Sequence, residues 1–129
     1  MTTLKNSRIL IVDDEPDVRD ILVDIFEEFE TIIYQASNGK EALEIIQKNR
    51  VDLVISDIRM PNGDGVELLC SIKDQDVFKP IVILMSGFMD TSIQDLHNMG
   101  ADAYFSKPFE TERILETAQE LILKKSLSI

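Results

Sequence analysis

An acid closes the run Asp52-Leu53-Val54-Ile55-Ser56-Asp57, where a segment of strand length gives way to the turn-forming stretch Met60-Pro61-Asn62-Gly63-Asp64-Gly65. A strand buried on both faces of a parallel sheet reads as such an apolar run, and open α/β sheets do their chemistry at the carboxyl ends of their strands. Packing explains an acid there poorly. Three other apolar runs end in reactive groups: Asp13-Asp14, Ser86-Gly87 and Lys107-Pro108. If these ends meet in one crevice, three carboxylates crowd together with a hydroxyl and an ammonium. Like charges that close stay ionised only if a cation binds; otherwise a pKa rises strongly. Oxygen-only donors on an open, wet rim favour Mg2+, which keeps several waters and uses one or two carboxylates plus a phosphate.

The charges suit phosphoryl chemistry. Asp13, Asp14 and Asp57 against Mg2+ and Lys107 sum to neutrality, and an acyl phosphate dianion on Asp57 leaves a single negative charge. Asp57 would attack phosphorus in line, as a carboxylate nucleophile does. Mg2+ and Lys107 would offset charge on the transferring oxygens. The Ser86 hydroxyl would donate to a phosphoryl oxygen, a contact that exists only in the phosphorylated state and so can shift a population between two conformations.

These ends need elements to hold them. Short, β-branched runs at Arg8–Val12, Thr31–Ala36, Leu53–Ser56 and Ile81–Ser86 read as strands, with Ala103–Ser106 as a shorter fifth. Between them the period becomes helical. Val18, Ile21, Leu22, Ile25, Phe26 and Phe29 form one apolar stripe, with Pro16 in the first turn after an Asp14 or Glu15 cap. Ala42, Leu43 and Ile46 mark a second helix, Val66, Leu69 and Cys70 a third, and Ile114, Ala118, Leu121 and Ile122 the last. A fourth helix near Thr91–Met99 has few apolar anchors, Ile93 and Leu96, and Gly100 would end it. Strand–helix alternation repeated five times predicts an α/β fold: a doubly wound, five-stranded parallel sheet in the order 2-1-3-4-5 with five helices on its two faces. One domain over residues 1–129, with its core within 8–123, accommodates all of it.

The composition narrows the partners. Asp and Glu number 24 against 13 Lys and Arg, for a formal charge of -11. Such a field disfavours direct binding to nucleic acid or anionic membrane. One cysteine, Cys70, excludes an internal disulfide and suits a reducing cytoplasm. No apolar run approaches the length of a membrane span or a signal peptide.

Asp13-Asp14, Asp57, Ser86 and Lys107-Pro108, together with Met60-Pro61 and Gly63-Asp64-Gly65, resemble the receiver domain of two-component response regulators over nearly the whole chain. That resemblance implies a CheY-like, flavodoxin-like fold. It also implies a phosphoryl group accepted on Asp57 from a histidine kinase or phosphotransfer protein. Mg2+ would be held by Asp14, Asp57 and the backbone carbonyl of Arg59, with Asp13 acting through water. Ser86, Gly87 and Lys107 would contact the phosphoryl group, the Lys107-Pro108 peptide would be cis, and Ser86 with Tyr104 would form a switch pair. Arg59 and Phe88 flank the path of attacking water in such domains, and their bulk is expected to prolong the phosphate's lifetime. The implied output is a protein target on the face of the fourth helix, fifth strand and fifth helix, with phosphorylation-dependent dimerisation as a further option. The chain would be a signalling acceptor with self-phosphorylation and dephosphorylation chemistry rather than an enzyme acting on a product. Handing the phosphoryl group on to a histidine, as a relay intermediate, is the alternative, as is being the receiver portion of a longer regulator.

Two rivals fit less well. A haloacid-dehalogenase-like phosphatase would need an acid two residues after the nucleophile, where Arg59 stands. A flavodoxin-like cofactor binder would need hydroxyl and N–H donors where Asp13-Asp14-Glu15-Pro16 offers anions. His97 reads as a solvated side chain, Cys70 as a core thiol beside Val66, and Lys124-Lys125 as cations complementing a helix carboxyl end.

Overall fold

The computed structural model describes residues 4–61, 64–74, 80–87 and 97–127. Five strands, β1 (Arg8–Val12), β2 (Ile32–Ala36), β3 (Leu53–Asp57), β4 (Ile81–Ser86) and β5 (Ala103–Ser106), form one parallel sheet in the order β2-β1-β3-β4-β5. The described helices are α1 (Pro16–Glu27), α2 (Gly39–Lys48), α3 (Gly65–Lys73) and α4 (Thr111–Leu127). The helix expected near Thr91–Met99 lies almost wholly outside the described residues. His97 and Asn98 are helical, and Gly100 follows at a φ of 104°, the left-handed conformation that ends a helix.

Strand position explains strand composition. Every residue of the interior strands β3 and β4 is buried, whereas the edge strands β2 and β5 are largely half-exposed. Along the interior strands, alternate residues serve opposite faces. Leu10, Val12, Val54, Val82 and Leu84 pack with Ala42 and Ile46 of α2 and Leu68, Leu69 and Ile72 of α3. Ile9, Ile11, Leu53, Ile55, Ile81, Ile83 and Met85 pack with Leu22 and Phe26 of α1 and Ile114 and Ala118 of α4. Each fully buried Leu or Ile in these layers contributes about 1.5–3 kcal/mol relative to exposure.

Two helix faces differ from expectation. Cys70 is exposed, not a core thiol. The buried residues of α3 are Gly65, Leu68, Leu69 and Ile72, a stripe at helical spacing that carries Cys70 around to the solvent side. In α1 the stripe is narrower than six residues. Leu22 and Phe26 are buried, but Ile21 is 47% exposed.

An acidic crevice at the carboxyl end of the sheet

Alternation along the strands also builds the site. Asp13 continues the series Ile9, Ile11; Asp57 continues Leu53, Ile55; and Lys107 continues Ala103, Phe105. All three therefore leave their strands toward the same face, at neighbouring carboxyl ends. The β4–β5 ladder extends one residue further, through a Lys107 N–H that donates to the Ser86 carbonyl at 3.0 Å. The Lys107 ammonium lies 3.1 Å from Asp13 Oδ2, 3.0 Å from Asp57 Oδ2 and 4.0 Å from Glu15 Oε1. The Lys107-Pro108 peptide is cis, as the resemblance implies.

Carboxylate oxygens of Asp13, Asp14, Glu15 and Asp57 all lie within 4.8 Å of one another. Asp13 and Asp57 are buried, whereas Asp14 and Glu15 are exposed. This set of hard oxygen donors, buried on one side and open to water on the other, fits a small divalent cation of the Mg2+ kind. Glu15 is an addition to the sequence-based set. Its proximity to Asp13-Asp14 in the chain was visible, but which way its side chain turned was not. Arg59 is exposed in the loop two residues beyond Asp57, beside Met60, Pro61 and Asp64. Phe88 lies outside the described residues.

Local hydrogen bonds fix the loop that carries these acids. Asp13 Oδ1 accepts from the Glu15 N–H at 2.9 Å, closing a turn just before α1. Glu15 occupies the helix-capping position without a side-chain capping bond, so Asp13 rather than Asp14 or Glu15 supplies the local acceptor. Arg19, which sequence reasoning passed over, donates from Nη1 to the Asp13 carbonyl at 2.6 Å and from Nε to Gln35 Oε1 at 3.3 Å. It thereby ties the acidic loop to β2. The signal available in the sequence was a lone cation one helical turn after a run of acids.

Electrostatics reflect the crowding. Burial pushes the Asp13 carboxyl above its ordinary value of 3.8, assisted by the charge of Asp57 and opposed by bonds from Glu15 and Lys107. Burial alone would lower the Lys107 ammonium, but its bonds to Asp57 and Asp13 outweigh that and raise it. The Tyr104 hydroxyl is raised by burial and by the charge of Asp57.

Ser86 and Tyr104 belong to the other alternation. Ser86 is 2% exposed and follows Leu84, while Tyr104 packs against the α2–α3 side of the core. The Tyr104 hydroxyl donates to the Ser86 backbone carbonyl at 3.3 Å. The pair is thus joined through the main chain, and that carbonyl also takes the Lys107 N–H. Gly87 is exposed, and among the described residues a methyl group there would meet only Lys107 Cβ at 3.6 Å, an ordinary contact.

A doubly wound parallel sheet with an acid cluster and one lysine at its carboxyl ends defines a class: α/β proteins that place charged chemistry at the switch between β1 and β3. Residues 9–119 match the family model of the response regulator receiver domain, and the chain belongs to that family. It is 35% identical over 125 residues to sporulation initiation phosphotransferase F of Bacillus subtilis, covering 95% of this chain and 99% of that protein. It is 33% identical over 115 residues to the chemotaxis protein CheY of Halobacterium salinarum, covering 89% and 96%. A CheY-like receiver domain protein from Methanospirillum hungatei superposes with a TM-score of 0.85 at 29% identity, over 97% of this chain and all of that one.

Proposed function

We propose that Asp57 accepts a phosphoryl group from a histidine kinase or phosphotransfer protein, and that its phosphorylation switches a protein-binding surface. The observation that carries this reading is the placement of Lys107 between Asp57 and Asp13, beside two further carboxylates, in a member of the receiver family. Asp14, Asp57 and the backbone carbonyl of Arg59 would hold Mg2+, with Asp13 and Glu15 alongside. When bound, Mg2+ supplies charge neutralisation on the transferring phosphoryl oxygens.

The chain's own residues supply the rest. Asp57 Oδ attacks phosphorus in line while the leaving imidazole of the donor departs with the bonding electron pair and is protonated. The Lys107 ammonium, already bonded to the attacking carboxylate, moves with a phosphoryl oxygen and offsets its charge. The Ser86 hydroxyl and Gly87 N–H donate to another phosphoryl oxygen. Any shift of Ser86 toward the phosphate moves the carbonyl that holds the Tyr104 hydroxyl, so modification on one face of the sheet is felt on the other. The surface switched would be that of β5, α4 and the segment preceding β5, which a protein target or a second copy could read. Arg59 would shield the acyl phosphate from water.

We place this activity in the cytoplasm, in keeping with the lone Cys70; among the described residues no helix is long and apolar enough to cross a membrane. The chemistry would end with the signal, as self-phosphorylation and slow hydrolysis, rather than with a released product. A second reading, an intermediate that passes its phosphoryl group to another histidine, is supported by the likeness to a relative named as a phosphotransferase. Incubation with Mg2+ and a small phosphodonor, followed by intact-mass measurement, tests the proposal. One added phosphoryl group that requires Mg2+ is expected; no addition to a folded, Mg2+-binding chain would overturn it.

A further inference from the structure

We propose that Ser56, buried directly behind the phosphoacceptor, is a positioning residue for attack by Asp57, a role that rests on Asp57 being the phosphoacceptor. Ser56 is fully buried and follows Val54 on the side of the sheet that faces α2 and α3. Its strand partners are Val12 and Leu84, both members of the same core layer. Its hydroxyl donates to the Asp57 carbonyl at 2.9 Å.

The place of that carbonyl in the sheet gives the bond its consequence. The Ile58 N–H donates to the Met85 carbonyl of β4 at 2.8 Å. The N–H and C=O of one trans peptide point opposite ways, so the Asp57 carbonyl is aimed away from β4, at the β1 side. The ladder has run out there. The β1–β3 register ends at Val12–Ser56, and β1 turns off toward α1 through the bond between Asp13 Oδ1 and the Glu15 N–H. From the α3 end, Gly65 packs so closely on the same oxygen that a Cβ would overlap it. The Ser56 hydroxyl thus donates to a carbonyl that lies past the last β1–β3 rung and is pressed against backbone.

This peptide bears the reacting side chain on one side and leads to the Arg59 carbonyl on the other. The Ile58 N–H fixes one end of it and Ser56 the other. Rotation of the peptide swings the Asp57 Cα–Cβ bond, and with it the carboxylate that Lys107 holds at 3.0 Å. The plain account of a buried serine is that its hydroxyl has taken the nearest acceptor. That account leaves the residue type unexplained, because an alanine would fill the position with no hydroxyl to satisfy.

The test compares phosphorylation rates at saturating Mg2+ and small phosphodonor, read by intact mass, for the wild type, Ser56→Ala, Ser56→Thr and Ser56→Val. Threonine and valine share a branched shape, so crowding affects both alike and the hydroxyl separates them. Ser56→Ala should lose about tenfold in rate, as a nucleophile displaced by a fraction of an ångström does, and Ser56→Thr should exceed Ser56→Val by a similar factor. Ile46→Val, a truncation in the same core layer that also lowers Tm, should keep the wild-type rate, which separates positioning from lost stability. Without any phosphodonor, the Asp57 carbonyl carbon, read by NMR through the Ile58 amide, should shift upfield in Ser56→Ala. A wild-type rate in folded Ser56→Ala, equal rates in folded Ser56→Thr and Ser56→Val, or an unshifted Asp57 carbonyl would each overturn the proposal. So would an equal loss of rate in Ile46→Val. A wild-type chain that binds Mg2+ yet takes no phosphoryl group would instead overturn the phosphoacceptor reading, and the role of Ser56 with it.

Discussion

Substituting Gly65 by alanine should damage the site from behind, without touching any charged group. Gly65 is the first residue of α3, and its N–H donates to the Ile58 carbonyl at 2.8 Å. A Cβ there would overlap the Asp57 carbonyl oxygen, 3.0 Å from Ile58 Cα and 3.1 Å from the Asp57 carbonyl carbon. These three nearest atoms are all backbone, so no flexible side chain can swing away to relieve them. Ordinary contact begins near 3.4 Å, so either α3 or the end of β3 must retreat, by a shift on the order of 1 Å. Overpacking of this kind costs about 1–3 kcal/mol, which lowers Tm by roughly 3–5 °C per kcal/mol in a chain of this size. A nucleophile displaced by about 1 Å loses up to about 100-fold in rate. Thermal melts and the rate of phosphorylation by a small phosphodonor, measured on Gly65→Ala, read both effects. A variant with wild-type Tm and wild-type rate would refute the argument that the backbones of β3 and α3 approach too closely at Gly65 to admit a side chain.

Three further outcomes are expected. Gly87→Ala has room for its methyl among the described residues and lies outside the left-handed region, so it should raise stability by about 0.4–1 kcal/mol while still accepting phosphate; a lower Tm would contradict this. Asp13→Asn should stabilise the metal-free protein. The Asp13 pKa is raised in the fold, so metal-free stability falls as pH climbs from the ordinary value of 3.8 through the raised one, and the variant's advantage should grow over that window and persist at neutral pH. Melts of both proteins in chelator from acid to neutral pH check the sign. Arg19→Ala should weaken Mg2+ binding and cost about 1–3 kcal/mol of stability by releasing the Asp13 carbonyl, and Arg19→Lys should not restore it, because a lysine cannot bridge that carbonyl and Gln35 together. Mg2+ titration and melts of both variants decide it.

Much of this architecture was legible because its signals are periodic. The apolar runs ending at Val12, Asp57 and Ser86 are strands, and the alternation that puts Ile9 and Ile11, Leu53 and Ile55 on one face also carries Asp13 and Asp57 to that face. The acids and Lys107 were therefore readable as a group once the strands were assigned and ordered. What escaped depended on orientation within a turn. Cys70 and Ile21 sit at the margins of their helix stripes, where one residue's rotation of about 100° decides between core and water. Glu15 joins the acid cluster, and Arg19 clamps the loop, through side-chain directions that spacing does not encode. Ser86 and Tyr104 were legible as a pair, but the hydrogen bond from the Tyr104 hydroxyl to the Ser86 backbone carbonyl was not. Such contacts arise from tertiary packing, to which local pattern is blind.

The central claim is that a phosphoryl group resides on Asp57. Borohydride reduces an acyl phosphate, but not a free carboxylate, to the corresponding alcohol. Reduction after phosphorylation with Mg2+ and a small phosphodonor, followed by proteolysis and peptide mass spectrometry, therefore marks the modified residue. The account predicts homoserine at position 57 alone, none without Mg2+, and none anywhere in Asp57→Asn. Homoserine at position 13 or 14, or an unmarked protein whose added phosphoryl group survives on His97, would contradict it.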